Sequence, residues 1–233
     1  MKAHLLNIGD EVLSGAVLNT NASFIAASLN KIGIEVEKVI VTGDDEEQIK
    51  KELDAFQKST AQILLTTGGL GPTHDDLTKE TICSFLGLEL LPNLEAKSRL
   101  ESYLGKDYPP CNEKQIYFPK DAILIPNYRG TADGVILNYQ DKIYIILVGP
   151  PTEMEPMFRD TVLPFLKSEV SEEKLSKEFL LIGAGESTLE TRLESFYKLH
   201  PKVKIASYPQ GGRIKYLLQA TKTDEGEFLQ TVK

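Results

Sequence analysis

Two spacings of apolar residues alternate along the first half of the chain. Short apolar runs at residues 2–8, 34–41 and 62–67 are typical of buried strands. After each run, apolar residues recur three and four positions apart, which predicts a helix. The helical sets lie at residues 24–32, 49–56 and 82–86. Strands and helices that alternate with short connections form right-handed units of parallel sheet, so we expect an α/β fold with a mostly parallel sheet and helices on both faces.

Later segments are less regular. Apolar spacing predicts helices at residues 94–104, 113–118 and 149–166, a strand at 122–125, and a hairpin of strands at 135–139 and 143–148. The hairpin adds antiparallel strands to the sheet.

A polar, charged stretch at residues 169–178 predicts a linker. It separates a domain at 1–168 from a small α+β domain at 179–233. In the second domain we expect strands at 179–182, 203–208 and 213–221 and helices at 186–199 and 227–232. Because the chain ends inside an apolar-periodic segment, we expect this domain to be truncated.

Composition is that of an ordinary globular protein, with 41% apolar and 26% charged residues among 233. No apolar run approaches the roughly 18 residues of a membrane span, and the N-terminus lacks a signal-peptide core. We therefore expect a cytoplasmic protein without a membrane partner. The net charge of −8 lies entirely in the first 168 residues, which argues against a nucleic-acid partner held by phosphate contacts.

The segment TTGGLGPTHDDLTKET at residues 66–81 is the richest in candidate chemistry. It joins a predicted strand to a predicted helix. Glycines such as Gly68, Gly69 and Gly71 allow close approach of the backbone to a phosphate, and Asp75 and Asp76 could hold a cation. The simpler alternative is a tight turn whose helix is capped by Asp76 or Thr78. Three glycines and paired acids exceed what a turn needs, so we predict a site for a phosphorylated small molecule and Mg²⁺.

Other predicted strand ends also carry small or acidic residues. Asp10 and Glu11 follow the first strand, and Asp44 follows the second. Ligands of parallel sheets bind beyond the carboxyl ends of the strands, so these residues are expected to converge. Simpler interpretations exist. Asp44 or its neighbour Asp45 could cap a helix. Glu153, in the first turn of the helix predicted at 149–166, could be a carboxylate that interacts favourably with the helix dipole.

Several segments together resemble the N-terminal part of the competence/damage-inducible CinA family. The resemblance is carried by IGDEVLSG at residues 8–15, NTN at 19–21, TGGLGPTHDDLT at 67–78, Asn127 with GTA at 130–132, and PTEM at 151–154. It implies a domain similar to the molybdopterin-binding fold of MogA, MoaB and MoeA, followed by a small KH-type domain. The family usually has aspartate at the position of Asn19 and proline at those of Asp133 and Val148.

The resemblance implies a metal-dependent pyrophosphatase that cleaves ADP-ribose, a nucleotide-sugar diphosphate, to AMP and ribose 5-phosphate. Asp76 and Asp44 would be catalytic, and Asp10, Asp75 and Glu153 would hold Mg²⁺ or another divalent ion such as Co²⁺. Ribose or base would contact Asn19, Asn21 and Asn127. The other expected substrate contacts are Gly9, Glu11, Thr67, Gly68, Gly69, Gly71, Pro72, Thr73, Thr78 and Thr131. The resemblance also implies a homodimer.

Two alternatives stay open. One is a pterin-binding protein of molybdenum cofactor biosynthesis. The other is a non-catalytic nucleotide-binding module whose small domain recognises a partner. That domain lacks a GXXG loop with basic neighbours, so we do not expect it to bind nucleic acid.

Overall fold

The structure is a computed structural model that describes residues 1–170, 174–183, 185–221 and 224–231. The chain divides into two compact units. The first comprises residues 1–30 and 34–169, and the second comprises residues 31–33 and the described residues after 169.

The first unit contains a six-stranded sheet, a two-stranded ribbon and most of the helices. Its strands are β1 (Lys2–Ile8), β2 (Glu35–Thr42), β3 (Ile63–Thr67), β4 (Leu91–Pro92), β5 (Tyr117–Phe118), β6 (Ile123–Ile125), β7 (Gly134–Tyr139) and β8 (Lys142–Leu147). Its helices are α1 (Asp10–Leu13), α2 (Thr20–Lys31), α3 (Glu46–Gln57), α4 (Thr78–Phe85), α5 (Leu94–Leu104), α6 (Pro151–Met157) and α7 (Leu163–Glu169). A 3₁₀ helix spans Pro110–Ile116.

The large sheet has the strand order β2-β1-β3-β8-β7-β6. Strands β2, β1, β3 and β8 pair in parallel, while β7 is antiparallel to both of its neighbours. All five residues of the central strand β3 are buried, as a parallel strand covered on both faces requires. The predicted mostly parallel sheet flanked by helices is therefore confirmed.

Apolar stripes anchor the helices on this sheet. In α3, Ile49, Leu53 and Phe56 are all buried, at the spacing that predicted the helix. The Phe56 ring meets the ring of Tyr144 on β8 edge to face, with centroids 5.3 Å apart. Burial of this stripe fixes the position of α3 and, through it, the loop that precedes the helix.

Helices α6 and α7 are joined by a π-helical segment, Phe158–Val162. The segment follows Pro156, which lies inside the helix and has no N–H to donate. A single wider turn keeps the helix continuous past the proline.

Two of the sequence predictions are wrong in part. The helix expected at 113–118 is a 3₁₀ helix that starts earlier, at Pro110, and ends at Ile116, where the chain turns into β5 to pair with β4. The linker expected at 169–178 ends earlier, because residues 174–178 lie in strand β9. Residues 171–173 of that linker lie outside the described residues.

The second unit has the predicted order βαββα. Its elements are β9 (Lys174–Ile182), α8 (Glu186–Leu199), β10 (Lys204–Gln210), β11 (Arg213–Thr221) and α9 (Glu225–Thr231). The sheet order is β10-β11-β9, with both pairs antiparallel. Its buried core consists of Val203, Ile214, Tyr216, Leu218, Ala220 and Phe228. The KH-type assignment of this unit stays a prediction.

None of the helices within the described residues is long and apolar enough to cross a membrane.

Candidate functional site

A cleft of about 460 Å³ lies where the parallel strands of the first unit end. Gly9 follows β1, Asp44 follows β2, Gly68 follows β3 and Gly149 follows β8, and all four residues line it. Such a cleft is the ligand-binding position expected for a parallel sheet, and its size suits a small molecule.

Within the part of the chain that the structure describes, five carboxylate residues line this cleft. They are Glu11, Asp44, Asp75, Asp76 and Glu153. The predicted residues Gly9, Gly68, Gly69, Gly71 and Thr131 line it as well. Asp10, Asn19, Asn21, Thr67, Pro72, Thr73, Thr78 and Asn127 are absent from its lining. The cleft therefore combines an acidic wall with a glycine-rich loop.

The glycine loop at residues 68–71 approaches other backbone closely. Gly68 has φ of 102°, and a Cβ there would overlap the carbonyl oxygen of Ile8, so this position requires glycine. The N–H of Gly68 donates to the carbonyl of Leu147, which extends the sheet. Within the described residues, the backbone N–H groups of Gly69, Leu70 and Gly71 donate no hydrogen bond. The amide of Gly68 is thus used inside the sheet, and the candidate anion donors of the loop are the amides of Gly69, Leu70 and Gly71.

The simple helix-cap interpretation of this loop is wrong. Helix α4 begins after Leu77, and no side chain caps it. The buried Thr78 hydroxyl lies against Gly69 and has no hydrogen-bond partner among the described residues.

Thr73 organises the two aspartates of the loop. Its backbone N–H donates to Oδ2 of Asp76 at 3.0 Å. Its hydroxyl lies 2.5 Å from Oδ2 of Asp76 and 2.5 Å from Oδ1 of Asp75, and its single proton can be donated to only one of them at a time. The Thr73 hydroxyl is the main cause that lowers the pKa of Asp75, so this carboxylate stays ionised.

Lys114 stabilises the same loop, and Lys79 supports Lys114. Lys114, in the 3₁₀ helix, donates from Nζ to the carbonyl oxygens of Thr73 (2.7 Å) and Asp76. The buried Lys79 of α4 in turn donates to the carbonyl of Lys114 at 2.8 Å. Because both ends of the acidic segment are bonded to one ammonium, the positions of its aspartates depend on the 3₁₀ helix.

Asp44 and Asp45 have different tasks. Asp45 caps α3 by accepting from the N–H of Gln48 at 2.9 Å. Asp44 faces the cleft and accepts from the N–H of Asp10 at 3.1 Å. Burial raises the pKa of Asp44, and the negative charges of Asp10, Glu11 and Asp75 raise it further. A carboxylate with a raised pKa is a better proton acceptor near neutral pH than an ordinary one.

Glu153 is held in place by Asn127. The Asn127 amide nitrogen donates to Oε2 of Glu153 at 2.8 Å and to the carbonyl of Ala132 at 3.0 Å. Its amide oxygen accepts from the N–H of Arg129 at 2.9 Å. Asn127 is buried and both amide hydrogens are used inside the protein, so in this structure it positions Glu153. The expected contact of Asn127 with a ligand stays a prediction.

Asn19 and Asn21 line a smaller cavity of about 40 Å³, together with Thr67 and Asn7. Asn19 accepts from the N–H of Ala22 in α2 and donates to Oδ1 of Asn7 at 3.0 Å. Asn21 donates to the carbonyl of Gly149 at 2.7 Å, while its own amide oxygen is buried without a partner in the described part of the chain. Asn19 therefore links α2 to β1, and Asn21 links α2 to the residue after β8.

The carboxylates suit a hard divalent cation, because Mg²⁺ prefers oxygen ligands. Across residues 1–170, 174–183, 185–221 and 224–231, however, no three histidine, cysteine, aspartate or glutamate side chains converge closely enough to hold a metal ion. Of the expected ligands, Asp75 and Glu153 line the cleft. Asp10 is exposed, and its carboxylate lies against Gly43. A bound cation would therefore need ligands from water or substrate as well.

Sequence reasoning missed several residues that belong to the cleft or its support. Tyr103 and Gln115 line it, and Lys114 holds the acidic segment. They lie on α5 and the 3₁₀ helix, where neither glycines nor paired acids mark them. Gly149 could have been found, since it follows a strand as the other site glycines do.

Comparison with known proteins identifies the first unit. The sequence model of the family described as "Probable molybdopterin binding domain" matches residues 4–168. The chain is also similar to the crystal structure of CinA, a protein with unknown function from Thermoplasma acidophilum. The two share 32% identity at a TM-score of 0.65, over 69% of this chain and 95% of that one.

Curated relatives match along the whole chain. A protein of the competence-damage inducible type from Thermoanaerobacter pseudethanolicus is 39% identical over 237 residues, which cover 100% of this chain and 57% of the relative. One from Clostridioides difficile is 37% identical over 238 residues, 100% of this chain and 56% of the relative. The chain thus spans about half the length of the curated relatives it matches.

Proposed function

Because the chain belongs to the competence-damage inducible CinA family and carries a domain of the molybdopterin-binding family, we propose that its cleft hydrolyses a nucleotide-sugar diphosphate. The proposed substrate is ADP-ribose, and the products are AMP and ribose 5-phosphate. The whole-protein activity of the longer relatives is not part of the proposal.

One observation carries the proposal: free backbone donors and acids share one cleft. The available N–H groups of Gly69, Leu70 and Gly71 offer fixed dipoles for a diphosphate oxygen. Fixed donors stabilise the charge that develops on a phosphate during attack, without reorganising. The carboxylates that line the same cleft would supply a general base and the ligands of a cation.

Asp44 is the proposed general base. It would take a proton from a water molecule as the water oxygen bonds to one phosphorus and the bridging P–O bond breaks. Its raised pKa, caused by burial and by neighbouring acids, suits this step. Asp76, fixed by the Thr73 N–H, would orient the water. Asp75, with its lowered pKa, would remain a negative ligand.

The donor set is compatible with Mg²⁺ or Co²⁺ bound by one or two carboxylates and by the substrate's own phosphates. When bound, the ion would neutralise diphosphate charge and lower the pKa of a coordinated water. Asp75 and Glu153 are the candidate ligands. Asn127 would keep Glu153 available through the 2.8 Å hydrogen bond to its Oε2.

The proposal is tested by incubating the chain with ADP-ribose, with Mg²⁺, with Co²⁺ and with a chelator, and separating the products by ion exchange. Equal amounts of AMP and ribose 5-phosphate that appear only with metal support it. Reaction in ¹⁸O-water then shows which phosphorus is attacked, since the label enters one product. If AMP forms in none of the mixtures, the hydrolase proposal fails.

A second candidate is favoured by the description of the matching family. The same cleft could bind a pterin phosphate, as a protein of molybdenum cofactor biosynthesis would. Loop amides would still hold the phosphate, but Asp44 would have no water to activate. Tight binding of molybdopterin without ADP-ribose cleavage would favour this candidate over the hydrolase.

A further inference from the structure

Among the described residues that line the cleft, Tyr103 is the one aromatic residue. It lies in the last turn of α5, and 54% of the residue is exposed. A large ring that stays exposed at the mouth of a cleft has apolar area left to bury against a ligand.

The ring is fixed at its far end. The Tyr103 hydroxyl donates to the carbonyl oxygen of Arg129 at 3.2 Å. Arg129 is itself held, because its backbone N–H donates to Asn127 and its guanidinium donates to the carbonyl of Thr152 at 3.1 Å. Tyr103 therefore presents a ring whose orientation is set before a ligand arrives, which lowers the entropic cost of binding.

The rest of the lining combines two kinds of chemistry. The carboxylates and the glycine-rich loop suit a phosphorylated group with its cation, while Ala132, Val148 and Pro150 add apolar surface. A ligand that uses both carries a phosphate and a flat apolar ring.

We propose that Tyr103 stacks on the planar heteroaromatic ring of the ligand, a purine or a pterin. The inference rests on the proposed function in one respect, that the cleft binds a phosphorylated ligand. It adds which part of the ligand is recognised and by which side chain. Tyr103 is a binding residue and takes no part in proton transfer.

The chain contains no tryptophan, so a single Tyr103→Trp substitution would give a fluorescent reporter in the cleft. Titration with AMP is expected to quench its emission in a saturable way, because a stacked purine lies within contact of the indole. Ribose 5-phosphate, which lacks the ring, should leave it unchanged. Neopterin monophosphate in a parallel titration carries the phosphate as AMP does, so it separates a pterin preference from a purine preference.

Tyr128→Trp is the matched control. Tyr128 is 80% exposed and lies near Arg129 in sequence, but it is absent from the lining of the cleft. Saturable quenching in the Tyr103→Trp variant but not in the Tyr128→Trp variant supports stacking. Failure of both AMP and neopterin monophosphate to quench the Tyr103→Trp variant would overturn it. This readout requires no turnover, so it remains informative if the hydrolase proposal fails.

Where ADP-ribose is cleaved, kinetics give a second test. Tyr103→Leu removes the ring and should raise KM about 10-fold with kcat nearly unchanged, since stacking stabilises substrate and transition state alike. Tyr103→Phe keeps the ring and loses only the hydroxyl tether, so its KM should rise about threefold at most. An unchanged KM in the Tyr103→Leu variant would contradict the assignment.

Discussion

At the scale of single residues, two proposed site acids, Asp76 and Glu153, each lie directly against a glycine. A Cβ at Gly71 would overlap the carboxylate of Asp76, and a Cβ at Gly130 would overlap that of Glu153. Each glycine leaves room for the carboxylate beside it. The positions of the acids thus depend on the absence of a side chain at a neighbouring position.

Asp76→Asn should abolish most turnover while leaving the fold intact. The asparagine oxygen can still accept from the Thr73 N–H, so the melting temperature should stay close to that of the wild type. Loss of the carboxylate that would orient the attacking water should lower kcat by about 10²-fold, because a misplaced nucleophile loses the advantage of a fixed near-attack geometry. Steady-state ADP-ribose hydrolysis measures the effect.

Asp141→Asn serves as the control for that substitution. Asp141 is exposed in the turn between β7 and β8, at the opposite end of the sheet. Wild-type turnover in the Asp76→Asn variant would remove Asp76 from the proposed chemistry.

Asp44→Asn should change both the pH profile and the stability. The pKa of Asp44 is raised above its ordinary value of 3.8, so the folded state binds this proton more tightly than the unfolded state. Wild-type stability therefore falls as pH rises from 3.8 through the raised pKa. Removing the charge should stabilise the protein above that window, by less than about 1 kcal/mol because solvent screens the site. Below pH 3.8 the difference should vanish.

The same variant should lose the acidic limb of kcat/KM, since that limb reports deprotonation of the base. Melting curves and rate profiles across pH measure the two effects together. Asp45→Asn, at the neighbouring helix cap, keeps a good capping residue and should change neither. An acidic limb that survives in Asp44→Asn would assign the base to another residue.

At the scale of elements, strong periodicity made most helices and strands predictable. β1 and α5 have the predicted bounds, because apolar residues that face a sheet or a helix neighbour repeat with the period of the element. The strands β4 and β5 escaped prediction because two residues show no period. The first part of β9, residues 174–178, was taken for a linker because the charged residues Lys177 and Glu178 interrupt the apolar pattern between Leu175 and Phe179, which pack against the core of the second unit.

The candidate site residues that directly follow strands were predictable. Those contributed by other elements, such as α5, were not. Glycines and acids after β1, β2 and β3 pointed to one edge of a parallel sheet. Tyr103 reaches the cleft from α5, which is distant in sequence from these strand ends. The inward role of Asn127 depends on a hydrogen bond to Glu153, 26 positions away. Such contacts arise from tertiary packing and leave no local pattern.

Gly68→Ala should disrupt the strand-to-loop junction. The added Cβ would meet the carbonyl oxygen of Ile8, which is backbone and cannot rotate away, and φ of 102° is strained for alanine. We expect a loss of about 3 kcal/mol or more in unfolding free energy. Chemical denaturation measures it, with Gly149→Ala as control. A Cβ at Gly149 has its nearest neighbour at an ordinary 3.5 Å, so a loss of equal size there would contradict the explanation.

At the scale of the whole molecule, the two units have separate cores, and the described residues that line the cleft belong to the first unit. The second unit buries Ile214 and Leu218 in its own sheet and helices. Stability of the second unit and chemistry in the first should therefore respond to different substitutions.

Ile214→Ala should destabilise the second unit alone, by about 2 to 5 kcal/mol for a large buried side chain. Calorimetry should show one thermal transition moved to lower temperature and another unchanged. The kcat for ADP-ribose should match that of the wild type below the lower transition. A parallel loss of activity would mean that the second unit contributes to catalysis.

The carboxylates that line the cleft also affect the rate at which substrate associates. Free ADP-ribose is an anion, and five carboxylates repel it before any loop amide is within reach. At 0.1 M ionic strength this repulsion is largely screened beyond about 10 Å. The association rate should therefore increase as ionic strength rises from a low value. Most enzymes that attract a charged substrate show the reverse. The true substrate would then be the complex of ADP-ribose with the cation. The rate of hydrolysis would depend on the concentration of that complex and not on the total concentration of ADP-ribose.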